Sequence, residues 1–193
     1  ITNWNFPTDF HFITDSTNGY RSPTLSVALG IPSVIAVNES GGGLVRYKCE
    51  AGISCTSQSD WTSESVVTDS NADFPNLIID SSNNPHVVYE TYTAGPPNTY
   101  MVNYTNRTTG SWGTPVRLDS NTASDSAALG SKPSMSIKSS TITVLWHQYD
   151  SASNTYDIWS HNSSDTGATW NSANRVVVVN DSNNHTNVNV RWS

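Results

Sequence analysis

The chain has 193 residues, a formal net charge of −7 and only 13% charged residues. An acidic chain without a Lys/Arg cluster repels phosphate backbones, which argues against nucleic acid as a partner, and no run approaches the ~20 apolar residues that span a bilayer. Length and a 10% aromatic content that includes seven Trp are enough for one domain with a sizeable core, spanning 1–193.

Helical periodicity is nearly absent, while β-branched and aromatic runs recur between Gly/Pro/Asn/Asp/Ser clusters, so the chain is expected to be all-β. It starts with Ile rather than Met and reads as a processed or excised segment, removal of a signal peptide being one way to produce it. A lone strand is expected at 10–14. Three stretches then share one plan of Pro, short strand, turn and second strand: "SPTLSVALGIPSVIAVNES", "FPNLIIDSSNNPHVVYETY" and "KPSMSIKSSTITVLWHQYD".

Pro23, Pro75 and Pro133 open these units at steps of 52 and 58 residues, and Trp61, Trp112 and Trp170 close them at steps of 51 and 58. The units cover about 20–70, 71–120 and 131–181, each with four strands; in the second these are expected near 76–80, 85–92, 98–105 and 114–119. Residues 186–192 look like the start of a further unit. A four-stranded antiparallel unit of about 50 residues has the size of a β-propeller blade. Three blades and two partial strands leave the ring open unless further sequence or other chains complete it. A β-sandwich would fit the strand count but not the period.

In the first unit Cys49 and Cys55 flank Gly52, a spacing that two antiparallel strands with a short turn can bridge by a disulfide. Sequons at Asn38, Asn103, Asn106, Asn162, Asn180 and Asn184 permit glycosylation, although composition alone accounts for about that number. In the third unit, between strands expected at 155–162 and 174–180, stands Ser163-x-Asp165-x-Gly167-x-Thr169-Trp170. Such a turn lets Asp165 accept backbone N–H bonds, Gly167 take positive φ and Trp170 fold back on the sheet.

That run resembles the Asp box, or BNR repeat, of sialidase-like propellers. "YRSPTLSVALGIPSVIAVNE" likewise resembles their Tyr/Phe-Arg-Ile-Pro opening, with Ser22 in place of Ile. The resemblance implies a propeller in which the Asp box marks the fold, away from the catalytic face. It also implies a substrate-carboxylate clamp role for Arg21, as a guanidinium fork suits a carboxylate. Sialidases use two more arginines and a Tyr/Glu pair from further blades, and Arg107, Arg117 and Arg175 fit no such place.

If the units are blades, the entry to first strands and the end of second strands share one face, which collects Arg21, Asp73, Glu39, Glu90, Tyr92, His147, Tyr149 and Asp150. Asp73 stands in unit two where Arg21 stands in unit one, so the two are expected to be neighbours. The carboxylates suit acid/base work, Ca²⁺ binding as the one cofactor in view, or plain solvation. In "VLWHQYD" one of Trp146 and His147 is expected to face the core and the other solvent or a groove. The reading is a secreted or cell-surface propeller module that binds a glycan or an extracellular protein, with self-assembly open to it, and that is not a complete enzyme by itself. A glycoside hydrolase completed by absent blades and a subunit of an extracellular filament or surface layer are the alternatives.

Overall fold

The computed structural model describes residues 19–50, 52–94, 99–108, 110–119, 132–150 and 154–179, with single residues at 183, 185 and 189. The strands expected at 10–14 and 186–192 lie outside this set, apart from Asn189.

The described residues form three four-stranded antiparallel sheets, each built from consecutive strands. Blade 1 holds β1 (Tyr20–Ala28), β2 (Ile31–Asn38), β3 (Leu44–Cys49) and β4 (Trp61–Val67); blade 2 holds β5 (Ala72–Ile79), β6 (Pro85–Thr93), β7 (Thr99–Asn106) and β8 (Val116–Arg117); blade 3 holds β9 (Ser134–Lys138), β10 (Thr141–Asp150), β11 (Thr155–Ser163) and β12 (Arg175–Val179). The fold is a β-propeller arrangement in which β5 packs beside β1 and β9 beside β5.

Both cores are sandwiched between blades. Ile35, Val37, Leu44 and Val66 of blade 1 meet Ala72, Leu77, Val87 and Tyr89 of blade 2. Val88, Val102, Tyr104 and Leu118 of blade 2 meet Met135, Ile142, Val144 and Trp146 of blade 3. Blade 2 is therefore apolar on both faces, as shown by the unbroken buried run at the start of β6.

The first strands of blades 1 and 2 begin earlier than the prolines suggested. Each continues through its proline at a β-bulge, with the register shifting between Arg21 and Thr24 and between Asp73 and Asn76. A bulge leaves one residue out of the ladder, so the missing proline N–H costs no rung. The residue before each proline takes positive φ: Ser22 (52°), Phe74 (45°) and Lys132 (40°). β8 is shorter than expected, with Leu118 and Asp119 buried beyond its end.

Cys49 and Cys55 form the expected disulfide, with Cα atoms 5.8 Å apart. It closes a loop instead of bridging two strands, because Cys49 pairs with Trp61 in the ladder and Cys55 precedes β4.

The Ser163–Trp170 turn joins β11 to β12. The Ser163 hydroxyl donates to Asp165 Oδ1 (2.7 Å) and accepts from the Gly167 N–H (2.9 Å), while Asp165 accepts from the Thr169 N–H (2.9 Å) and hydroxyl (2.6 Å). Gly167 has φ +80°, and a Cβ there would overlap the Tyr104 hydroxyl of blade 2. Trp170 sits edge-on to Tyr104 (4.8 Å) and His161 (5.2 Å), so the turn locks blade 3 against blade 2.

The three unit-closing tryptophans are all partly buried but are not equivalent. Trp112 and Trp170 each pack on the core shared with the preceding blade. Trp61 opens β4 and belongs to neither core, since blade 1 has no described blade before it.

Candidate functional site

The bulges at Ser22-Pro23 and Phe74-Pro75 decide where the adjacent charged side chains point. Skipping one residue in the ladder re-aims Arg21 and Asp73 relative to the rest of their strands. The Arg21 guanidinium pairs with Asp73 on the next blade and, through Nε, with Glu39 Oε1 at 3.1 Å. Asp73 Oδ1 also accepts the Phe74 N–H (2.7 Å) and the Ser22 hydroxyl (3.2 Å). The expected neighbourhood of Arg21 and Asp73 is therefore present, and it links two blades.

Beside this pair opens a cleft of about 360 Å³ lined by Arg21, Asp73, Phe74, Glu90, Tyr92 and Tyr100. Asp73 and Glu90 are direct cross-strand partners in the ladder. Glu90 is 3% exposed, so it is a carboxylate enclosed by the sheet and not a solvated loop residue. Tyr92 faces Tyr100 across the β6–β7 hairpin, with ring centroids 5.0 Å apart. Lys132, just before β9, lies 5.5 Å from the Phe74 ring centroid and lines a neighbouring hollow.

Four of the eight residues picked from sequence thus meet in one cleft: Arg21, Asp73, Glu90 and Tyr92. Glu39 lies on the far side of Arg21, in a separate hollow. His147 and Tyr149 are on blade 3, as is Asp150, which ends β10 opposite Thr155 and whose side chain lies outside the described set. The expectation that only one of Trp146 and His147 faces the core is corrected: exposures of 0% and 4% bury both. His147 lies edge-on to Tyr156 (5.8 Å) of the neighbouring strand, so the sheet's own side chains cover it. Phe74 and Tyr100 were missed. Phe74 reads as a strand residue until its positive φ turns it, and only the ladder register puts Tyr100 opposite Tyr92.

Among the described residues Arg46 pairs with Glu64 (2.9 Å) and three further arginines are committed away from the cleft. Arg117 holds Asp119 through two bonds (2.7 and 2.9 Å), Arg107 pairs with Glu64 (3.3 Å), and Arg175 lies over Trp159. Among the described residues no three His, Cys, Asp or Glu side chains converge as a metal-binding group.

The sequons differ in setting. Asn38 Oδ1 caps its own turn by accepting from the Ser40 and Gly41 N–H groups, Asn103 donates to Thr91, and Asn106 donates to the Tyr104 hydroxyl. Asn162 is half-buried in β11. Asn180 and Asn184 lie outside the described residues.

No family model matches the sequence, and no curated protein matches it. Solved structures do match. The endo-arabinase from Bacteroides thetaiotaomicron VPI-5482 aligns over 91% of this chain and 69% of its own, with TM-score 0.51 and 13% identity. A bifunctional GH43-CE protein from Bacteroides eggerthii aligns over 83% of this chain and 20% of its own, with TM-score 0.50 and 12% identity. An alpha-L-arabinofuranosidase from Lactobacillus brevis aligns over 82% and 54%, with TM-score 0.46 and 11% identity. At such identities the likeness of the first two shows the propeller fold alone.

Proposed function

We propose that this chain is a sialidase-like propeller module of an extracellular protein and that it binds a neutral glycan in the cleft between blades 1 and 2. The observation that carries the reading is the pairing of Arg21 with both Glu39 and Asp73 at the rim of an aromatic cleft. An arginine already neutralised by two carboxylates has no spare charge for a substrate carboxylate, which argues against an anionic sugar. Tyr92, Tyr100 and Phe74 supply apolar faces for the C–H side of a sugar ring, and Asp73, Glu90 and Arg21 supply hydrogen-bonding partners for its hydroxyls.

The Ser163–Trp170 turn supports the sialidase-like assignment, because each polar position of its Asp-box pattern makes a hydrogen bond within the turn. The Cys49–Cys55 disulfide supports an oxidising, extracellular setting. The glycan-active names of the structural neighbours are in keeping with the ligand class.

One feature favours a hydrolase as the second reading: Asp73 and Glu90 are cross-strand neighbours, and paired carboxylates are the machinery of glycoside cleavage. Titration calorimetry with neutral and sialylated oligosaccharides separates the possibilities. Neutral ligands should bind and lose about tenfold or more in affinity in Tyr92→Ala, the size expected for a central aromatic contact. Preferential binding of sialylated ligands, or sialoside turnover abolished by Arg21→Ala, would overturn the proposal.

A further inference from the structure

We infer that the same face carries a second aromatic platform, Tyr149 and Tyr156 of blade 3, and that it therefore takes an extended neutral polysaccharide chain rather than a single terminal sugar. The inference rests on the reading of the blade 1–blade 2 cleft as a glycan site.

The register of the two hairpins carries it. In blade 2 the last rung before the β6–β7 connection is Thr93 opposite Thr99, and the rung before it is Tyr92 opposite Tyr100. In blade 3 the last rung before the β10–β11 connection is Asp150 opposite Thr155, and the rung before it is Tyr149 opposite Tyr156. The same rung of the same hairpin thus holds a tyrosine pair on adjacent blades, at the propeller end where the cleft opens. The corresponding hairpin of blade 1 ends on Val37 opposite Leu44, and there the Arg21–Glu39 pair stands instead.

The two pairs share more than position. Ring centroids are 5.0 Å apart in blade 2 and 5.4 Å apart in blade 3, tilted by 34° and 60°. All four tyrosines are half-buried, neither enclosed in the sheet nor fully in solvent. Tyr100 leans on the core between blades 2 and 3, whereas Tyr92 on the same rung belongs to neither core. Core packing alone therefore does not account for Tyr92, and the recurrence is one of register and ring pairing. Tyr149 donates its hydroxyl to Asn154, which steadies its ring beside neutral, hydrogen-bonding groups suited to sugar hydroxyls.

Two ring platforms on one rigid scaffold bind successive units of a chain with an effective concentration that a monosaccharide cannot exploit. The chemistry selects a neutral, unbranched oligosaccharide long enough to reach from blade 2 to blade 3.

The test is calorimetry with neutral xylo-, cello- and arabino-oligosaccharides of one to six units. Affinity should rise at least tenfold between two and six units for the accepted series. Tyr149→Ala and Tyr156→Ala should collapse that ratio toward one, while Tyr149→Phe, which keeps the ring, should preserve most of it; far-ultraviolet circular dichroism checks that each variant is folded. Binding sensitive to Tyr92→Ala but independent of chain length, or a length ratio unchanged in folded Tyr149→Ala, overturns the second platform and leaves the cleft reading standing. Absence of binding at every length overturns both.

Discussion

The guanidinium of Arg21 and the carboxylate of Asp73, 52 residues apart in the chain, occupy the same point of consecutive blades and form an ion pair across the blade boundary. Arg21 is also held by Glu39, so one cation balances two carboxylates. Arg21→Ala should cost about 1 kcal/mol in urea titration, the upper range for partly exposed ion pairs when one cation serves two carboxylates. A double-mutant cycle with Asp73→Ala should show coupling of about 0.5 kcal/mol or more, since the two share a contact. Strict additivity would mean that the pair does not join the blades energetically.

Gly167 and Gly110 both take positive φ, but only Gly167 faces a neighbour, the Tyr104 hydroxyl. Gly110→Ala should cost only the backbone term of about 1 kcal/mol. Gly167→Ala adds a clash with a buried side chain and should cost about 3 kcal/mol or more. Equal losses in thermal or denaturant unfolding would contradict the seating of this turn on blade 2.

The Asp165 carboxyl is held down to about 2, first by the Thr169 hydroxyl, then by the Ser163 hydroxyl and the Thr169 N–H, from an ordinary value of 3.8. A depressed folded value means that the stabilisation is present above the unfolded value and lost as the carboxyl protonates in the fold. The contribution is therefore complete above about pH 4 and disappears as pH falls toward 2. Carbon-detected NMR titration should find Asp165 still ionised near pH 3. In Asp165→Asn, stability should no longer change through this group over that window.

Trp170 packs edge-on to Tyr104 and His161 on the blade 2–blade 3 core, whereas Trp61 touches neither core. Trp170→Ala should cost about 3 kcal/mol and Trp61→Ala about 1, following the loss of packed aromatic area. Trp112, packed on the blade 1–blade 2 core, should resemble Trp170. Similar losses for Trp61 and Trp170 would show that the unit-closing tryptophans act alike after all.

The repeat, the strand count of each unit, the disulfide and the Ser163–Trp170 turn were legible in the sequence. Each depends on short-range chemistry: prolines and turns that delimit strands, alternation along a strand, and side chains that bond within a few residues. The face holding Arg21 and Asp73 was also legible, because equivalent positions of a repeat must lie at equivalent places around an axis. Which partners Arg21 finds there was decided by tertiary structure. Only the tertiary structure shows Arg21 paired with both Glu39 and Asp73, and the bulges that aim these groups depend on positive φ at Ser22 and Phe74 that no propensity for those residues announces. A neighbouring tyrosine likewise helped bury His147 beside Trp146 where alternation exposed one of them, and blade-to-blade contact gave Trp170 and Trp112 a core that Trp61 lacks. Local rules specify a blade, while the environment of a side chain at its surface is set by whichever blade packs against it.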